Sequence, residues 1–159
     1  MLKKEWNYSA PEFHRMAQLP KPMIIVSKET ISIRTEHDTV FLRNRVVEYA
    51  AKIKMGLVNQ TKLLTAASEL VRNMLRYGGG GIVLCEVISE SVLQSGIRLT
   101  FIDEGPGIKN IDDAMRDGFS TAKSLGIGLP GARRLVNHFD IKSEVGKGTR
   151  VSIIKWKNG

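Results

Sequence analysis

Apolar positions recur along this chain with two different periods, and the changes of period divide it into elements. Ile31 and Ile33 alternate with polar residues, which predicts a short strand. Thr35 or Asp38 then caps a helix that carries Val40, Val47, Ala50 and Ala51 and ends near Met55-Gly56. Asn59 is placed to cap a second helix. There Leu63, Ala67, Leu70, Val71 and Met74 form one stripe at helical spacing. Glu69 and Asn73 stand four apart and share another face. At about 100° per residue, that face lies well off the centre of the stripe. Gly78 to Gly81 stops the helix.

The period then shortens. Ile82–Ser89 and Ile97–Asp103 read as strands, with Gln94-Ser95-Gly96 as the hairpin link. Glu104-Gly105-Pro106-Gly107 is a turn that no helix or strand absorbs. A short helix is expected over Ile111–Arg116 and a polar loop over Asp117–Leu125. A last helix starts near Leu129, with Pro130 in its first turn. Phe139–Glu144 and Thr149–Trp156 close the chain as a hairpin around Gly146-Lys147-Gly148. This order predicts an α+β two-layer sandwich: a mixed, mostly antiparallel sheet with helices on one face. Residues 1–22 break the pattern. Pro11, Pro20 and Pro22 punctuate them, and they read as an N-terminal tail, flexible or loosely docked, ahead of a domain at 23–159.

Composition narrows the function classes. The 159 residues suit one domain, and 42% hydrophobic with 25% charged is ordinary for a globular chain. Aromatics at 6% leave the core to aliphatic side chains. No apolar run reaches the length of a membrane span, and Met1–Ala10 lacks the apolar segment of a secretory signal. The single cysteine, Cys85, excludes an internal disulfide framework. A cytoplasmic location is expected, with no membrane partner. The 24 Lys and Arg against 16 Asp and Glu give +8. These charges are scattered, with no basic run and no interleaved aromatic platform, so nucleic acid is not expected as the partner. An acidic ligand or protein face fits better.

Three stretches could carry chemistry. Gly126-Ile127-Gly128-Leu129-Pro130-Gly131 fits G-x-G-x-x-G, but the preceding segment is polar loop and not the strand that a dinucleotide fold needs. What survives is either a glycine-rich turn that simply starts a helix or an anion site, since glycine backbone N–H groups meet a helix start. Asp103 ends an apolar strand, and a half-buried carboxylate there needs donors. An adenine amino group would serve, and so would nearby backbone N–H groups. Gly105 and Gly107 allow positive φ and close ligand approach. The Glu69/Asn73 pair is either a solvated helix face or a functional pair. In the second case Asn73 offers an amide oxygen to Mg²⁺ and Glu69 acts as a base.

The order E-L-V-R-N, D-E-G-P-G-I, G-I-G-L-P-G and G-K-G-T-R resembles the GHKL ATPase superfamily, over about Ile24 to Trp156. The resemblance implies ATP and Mg²⁺ as ligands. Glu69 would be the catalytic carboxylate and Asn73 the metal ligand. Asp103, Gly105 and Gly107 would form the first glycine box, with Asp103 on adenine. Gly126, Ile127, Gly128 and Gly131 would form the second, at the edge of a lid, with Lys123 reaching a phosphate. Thr149 would support the adenine site. Size and the run S-E-L-V-R-N-M-L-R-Y-G-G-G-G resemble the stand-alone serine/threonine kinases of bacterial partner switching, of the RsbT type. The related anti-sigma branch usually shows an alanine and a histidine after the asparagine, where Met74 and Tyr77 stand here. By that resemblance the substrate is a STAS-domain antagonist protein. A PP2C-type phosphatase or a sigma factor is a further partner, and an anti-sigma factor is the alternative function.

Overall fold

A computed structural model describes residues 22–116 and 126–159. The expected tail up to residue 21, and the polar loop over 117–125 with Lys123, lie outside the described residues. Five described strands form one sheet: β1 (Ile24–Ile33), β2 (Gly81–Ser91), β3 (Gln94–Asp103), β4 (His138–Glu144) and β5 (Gly148–Trp156). Their order is β1-β2-β3-β5-β4, and each neighbouring pair is antiparallel. Four helices accompany them: α1 (Glu36–Lys52), α2 (Leu57–Tyr77), α3 (Ile111–Ala114) and α4 (Gly128–Leu135).

Alternation along the strands decides which side is covered. Ile31, Ile33, Val83, Cys85, Val87, Ile97, Leu99, Phe101, Val151 and Ile153 all point to one face. Leu42, Val46, Tyr49 and Ala50 of α1 meet them, with Leu63, Ala66, Ala67, Leu70, Val71 and Met74 of α2, in a single buried cluster. Each such aliphatic side chain contributes about 1.5–3 kcal/mol on burial. The expected α+β sandwich, with helices on one face, is therefore the observed architecture. The other sheet face carries a smaller cluster of Ile88, Ile154 and Trp156, and a two-pronged ion pair from Arg98 to Glu86 at 2.9 and 3.1 Å.

Several local expectations are revised. On α1 the core stripe is Leu42, Val46 and Tyr49, while Val40 and Val47 are exposed. Both sets fit a helical period; the buried one packs into the common core and also carries a polar tether. The Tyr49 hydroxyl donates to Glu29 of β1 at 2.7 Å, and the Arg45 guanidinium donates to the same carboxylate at 2.9 Å. Asn59 does not cap α2. Gly56 holds that position, and the Asn59 amide donates instead to the Lys157 carbonyl at 3.2 Å, tying the helix to the end of β5. At the start of α1 both candidates act together: Thr35 occupies the N-cap, and the Asp38 carboxylate accepts from the N–H groups of Arg34 and Thr35 at 2.8 and 2.9 Å.

The β2–β3 link also differs. It turns at Val92-Leu93, and Gln94-Ser95-Gly96 belongs to β3. Gly96 is there for packing: a side chain would overlap the Trp156 ring on the neighbouring strand. The third helix is shorter than expected and is capped by Asn110, whose side chain accepts from the Asp113 N–H at 3.1 Å.

Two outcomes follow from this core. Burial pushes the Cys85 thiol up to about 12. Native protein at pH 8 should therefore take up iodoacetamide at least roughly a hundredfold more slowly than denatured protein, as read by mass spectrometry. The Tyr49 hydroxyl bond, first, and then Arg45 hold the Glu29 carboxyl below its usual value of 4.5. A depressed folded-state pKa gives stability that is present above 4.5 and lost as pH falls through the folded value. Tyr49→Phe should cost about 1 kcal/mol at pH 7, and the gap to wild type should narrow below pH 4.5 in urea titrations.

Candidate functional site

The site is assembled where the C-terminal half of α2 runs past the ends of β3, β5 and β4. Asp103 is the last residue of β3 and pairs with Thr149 of β5, which pairs in turn with Ser143 of β4. All three continue the covered face, so their side chains stand in one cross-strand row. Asp103 is half-buried, and its Oδ1 accepts from the Gly105 N–H at 3.0 Å. Its Oδ2 has no hydrogen-bond partner among the described residues. The backbone reading of this carboxylate is therefore realised at one oxygen, which holds the turn.

The glycines around Asp103 are required by contact. A Cβ on Gly78, which follows α2, would lie 2.5 Å from the Asp103 Cγ. One on Gly105 would lie 2.6 Å from the Gly78 Cα, and one on Gly148 would run into the Asp103 carbonyl. Gly107 adopts φ +76 and abuts the Glu144 carbonyl, as its expected freedom requires. Gly105 does not have positive φ; it is needed for the close approach of Gly78.

Asn73 and Glu69 lie farther back along α2. At 1.5 Å per residue, Asn73 is about 7.5 Å from Gly78 along the helix axis, and Glu69 about 6 Å beyond it. Asn73 is half-buried, and its side chain makes no hydrogen bond to another described residue. Glu69 overturns the expected solvated face, for its side chain is only 6% exposed. The α4 end of the chain covers it. The Gly128 N–H donates to Glu69 Oε1 at 3.1 Å, and a Cβ on Gly126 would land on the same carboxylate. Arg72, half exposed, stands 3.5 Å from Glu69 Oε2. A carboxylate at a helix N-terminus is favourably placed against the helix dipole.

The second glycine stretch divides by role. Gly128 has φ +68 and opens α4. Ile127 is its N-cap residue and is 44% exposed. Gly131 serves packing, since a side chain there would collide with Ile127. In this arrangement the Gly128 N–H serves Glu69 and is not turned outward. Sequence reasoning missed Ser143 and the contact role of Gly78 and Gly148. Counting the hairpin register back from Gly146-Lys147-Gly148 places Ser143 opposite Thr149, so that signal was present in the sequence.

Comparison with known proteins agrees with this geometry. Residues 58–158 match the family described as histidine kinase-, DNA gyrase B- and HSP90-like ATPases. The chain is 40% identical over 126 residues to the serine/threonine-protein kinase RsbT of Bacillus subtilis, covering 79% of this chain and 94% of that one. It is 33% identical over 131 residues to the anti-sigma F factor of Geobacillus thermodenitrificans, covering 78% and 87%. Among solved structures, the RsbU and RsbW domains of a Mycobacterium tuberculosis protein share the fold, with a TM-score of 0.58 at 19% identity. That match covers 82% of this chain and 32% of the other. No helix among the described residues is long and apolar enough to cross a membrane. With its motif residues gathered between α2 and the ends of β3 and β5, this chain belongs to the histidine kinase-, DNA gyrase B- and HSP90-like family of ATP-binding ATPases.

Proposed function

We propose that this chain is a serine/threonine protein kinase of a bacterial partner-switching pathway, transferring the γ-phosphate of Mg-ATP to a STAS-domain antagonist protein. The observation that carries this reading is the array on α2 and the strand ends: Asp103, with one carboxylate oxygen unbonded among the described residues, then Asn73, then Glu69. It is supported by the 40% identity to a named serine/threonine-protein kinase.

The donor set suits the ligands. Asp103 and Thr149 offer oxygen acceptors to an adenine amino group. Asn73 offers one amide oxygen, which suits Mg²⁺, an ion that takes few protein ligands and completes its shell with phosphates and water. When bound, Mg-ATP supplies the transferable phosphoryl group and the neutralising charge. The chain's own contribution is positioning and electrostatics. Asp103 and Thr149 hold the base against the end of α2. Asn73, one to two helical turns farther back, would hold the metal ion that accompanies the phosphates. Glu69 orients the acceptor hydroxyl or takes its proton. Glu69 also accepts from the Gly128 N–H through one carboxylate oxygen, which links the base to the position of the first turn of α4. The glycine stretch at the start of α4 would meet phosphate oxygens through backbone N–H groups, and Lys123 would offer them a cation. The net charge of +8 favours an acidic partner surface.

A second reading, an anti-sigma factor that holds a sigma factor in the same nucleotide-dependent way, is favoured by the 33% identity to anti-sigma F factor. Co-purification with a sigma factor, without label transfer to any STAS protein, would select it. A PP2C-type phosphatase remains a further partner of this reading, to be sought by the same co-purification.

The deciding experiment uses ATP labelled on the γ-phosphate, with Mg²⁺ and each STAS-domain protein of the source genome. Label should appear on one of them. Asn73→Ala should lower that transfer at least roughly a hundredfold, in line with the loss of a charge-stabilising group. An undiminished rate would remove Asn73 from the metal site. Asp103→Asn should weaken ATP binding roughly tenfold or more in calorimetry, since it replaces a charged acceptor.

A further inference from the structure

Ser143 makes three hydrogen bonds through one oxygen. Its Oγ accepts from the Ile108 N–H at 2.7 Å, reaches the Gly148 carbonyl at 3.0 Å, and lies 2.8 Å from Thr149 Oγ1. A hydroxyl has one proton and two lone pairs, so this arrangement saturates it. Each partner then takes a defined part. The Gly148 carbonyl can only accept, so it takes the Ser143 proton. The Ile108 N–H can only donate, so it takes one lone pair. The remaining lone pair faces Thr149, and Thr149 must therefore donate to Ser143. Its proton is committed, and the Thr149 oxygen presents only lone pairs to anything else.

Asp103, the next residue in the same cross-strand row, also presents only acceptors. The base end of the site is thus lined by oxygens that need a donor. An adenine offers an exocyclic amino group, whereas guanine carries a carbonyl oxygen at the same ring position. We propose that Ser143 is a positioning residue that sets adenine over guanine selectivity by fixing the direction of the Thr149 hydroxyl. The inference rests on the reading above that the base lies against Asp103 and Thr149. Ser143 touches no nucleotide in this scheme; it acts through Thr149. Its bond to Ile108 also anchors the chain that follows Gly107, so a purely structural role is the competing account.

Competition binding against a fluorescent ATP analogue separates the accounts. Without the Ser143 hydroxyl, Thr149 is free to turn its proton toward a carbonyl. Ser143→Ala should therefore reduce the preference for ATP over GTP by about tenfold, the size of one hydrogen bond gained or lost. Ser143→Thr, which keeps the hydroxyl, should restore the preference. A structural role would weaken ATP and GTP equally, and an unchanged ratio overturns the proposal. Wild-type protein gives a check that requires no variant. ATP should bind more tightly than purine riboside triphosphate, which differs from it only in lacking the 6-amino donor; equal affinity overturns the proposal. Wild-type protein that binds no ATP at all would overturn the site reading itself, a result distinct from ATP bound with an unmoved ratio.

Discussion

The site depends on how closely the end of α2 approaches the ends of β3 and β5. That approach is possible because the backbone meets backbone at three glycines. Gly78 and Gly105 lie almost Cα against Cα, and Gly148 abuts the Asp103 carbonyl. A methyl group at any of them would have to displace main chain or the Asp103 carboxylate. Interiors are packed too densely to absorb that at no cost. The contact therefore positions Asp103 through sterics before any hydrogen bond is considered. The Gly105 N–H then fixes which carboxylate oxygen stays with the protein.

A second constraint acts at the other end of the groove. Glu69 is a buried carboxylate on a helix whose other buried residues are aliphatic or alanine, apart from its own backbone partners. A buried charge is tolerated only when it is met by donors or counter-charge. Here the first N–H of α4 and the Arg72 guanidinium supply both. The consequence is coupling: the catalytic candidate and the glycine stretch cannot be moved independently. Arg72, half exposed, lets the ion pair be loosened without opening the core. Farther away, the Glu29–Tyr49–Arg45 tether holds α1 on β1, and the buried sheet face holds α2, so the groove rests on rigid elements.

The nucleotide reading and the kinase reading stand on different parts of this structure. ATP binding follows from family membership and from the acceptor row at the strand ends. Transfer to a protein hydroxyl is assigned to Glu69 only in the proposed scheme; in this structure that carboxylate accepts from the Gly128 N–H. A binding switch and a kinase can share every contact described for Asp103, Thr149 and Asn73. In that scheme they differ in the use made of Glu69. That is why chemistry on a partner protein, and not nucleotide affinity, separates them.

Much was legible in the chain itself. The strands, the main helices and the α+β class follow from local periodicity, since a period of two or of 3.6 is set by backbone geometry alone. The stripe Leu63, Ala67, Leu70, Val71 and Met74 is buried as read, and the motif residues were identifiable by their spacing. Contacts between distant segments were not legible. Periodicity says that Glu69 lies off the main stripe, but not that α4 covers it, because that depends on where residues 59 positions later are placed. It offers Val40 and Val47 as a core pair as readily as Leu42 and Val46, and the packing of Leu42, Val46, Tyr49 and Ala50 into the common core, with the Tyr49 bond to Glu29, is seen only in the folded chain. Gly96 looks like a turn residue until Trp156 is set beside it. The direction of the Thr149 hydroxyl depends on Ser143, Ile108 and Gly148 meeting at one point. Local sequence determined which elements form and which faces they bury. The partners of the buried polar groups were left to the packing of elements against one another, because hydrogen bonds act over about 3 Å and exist only once the chain has been folded to that distance.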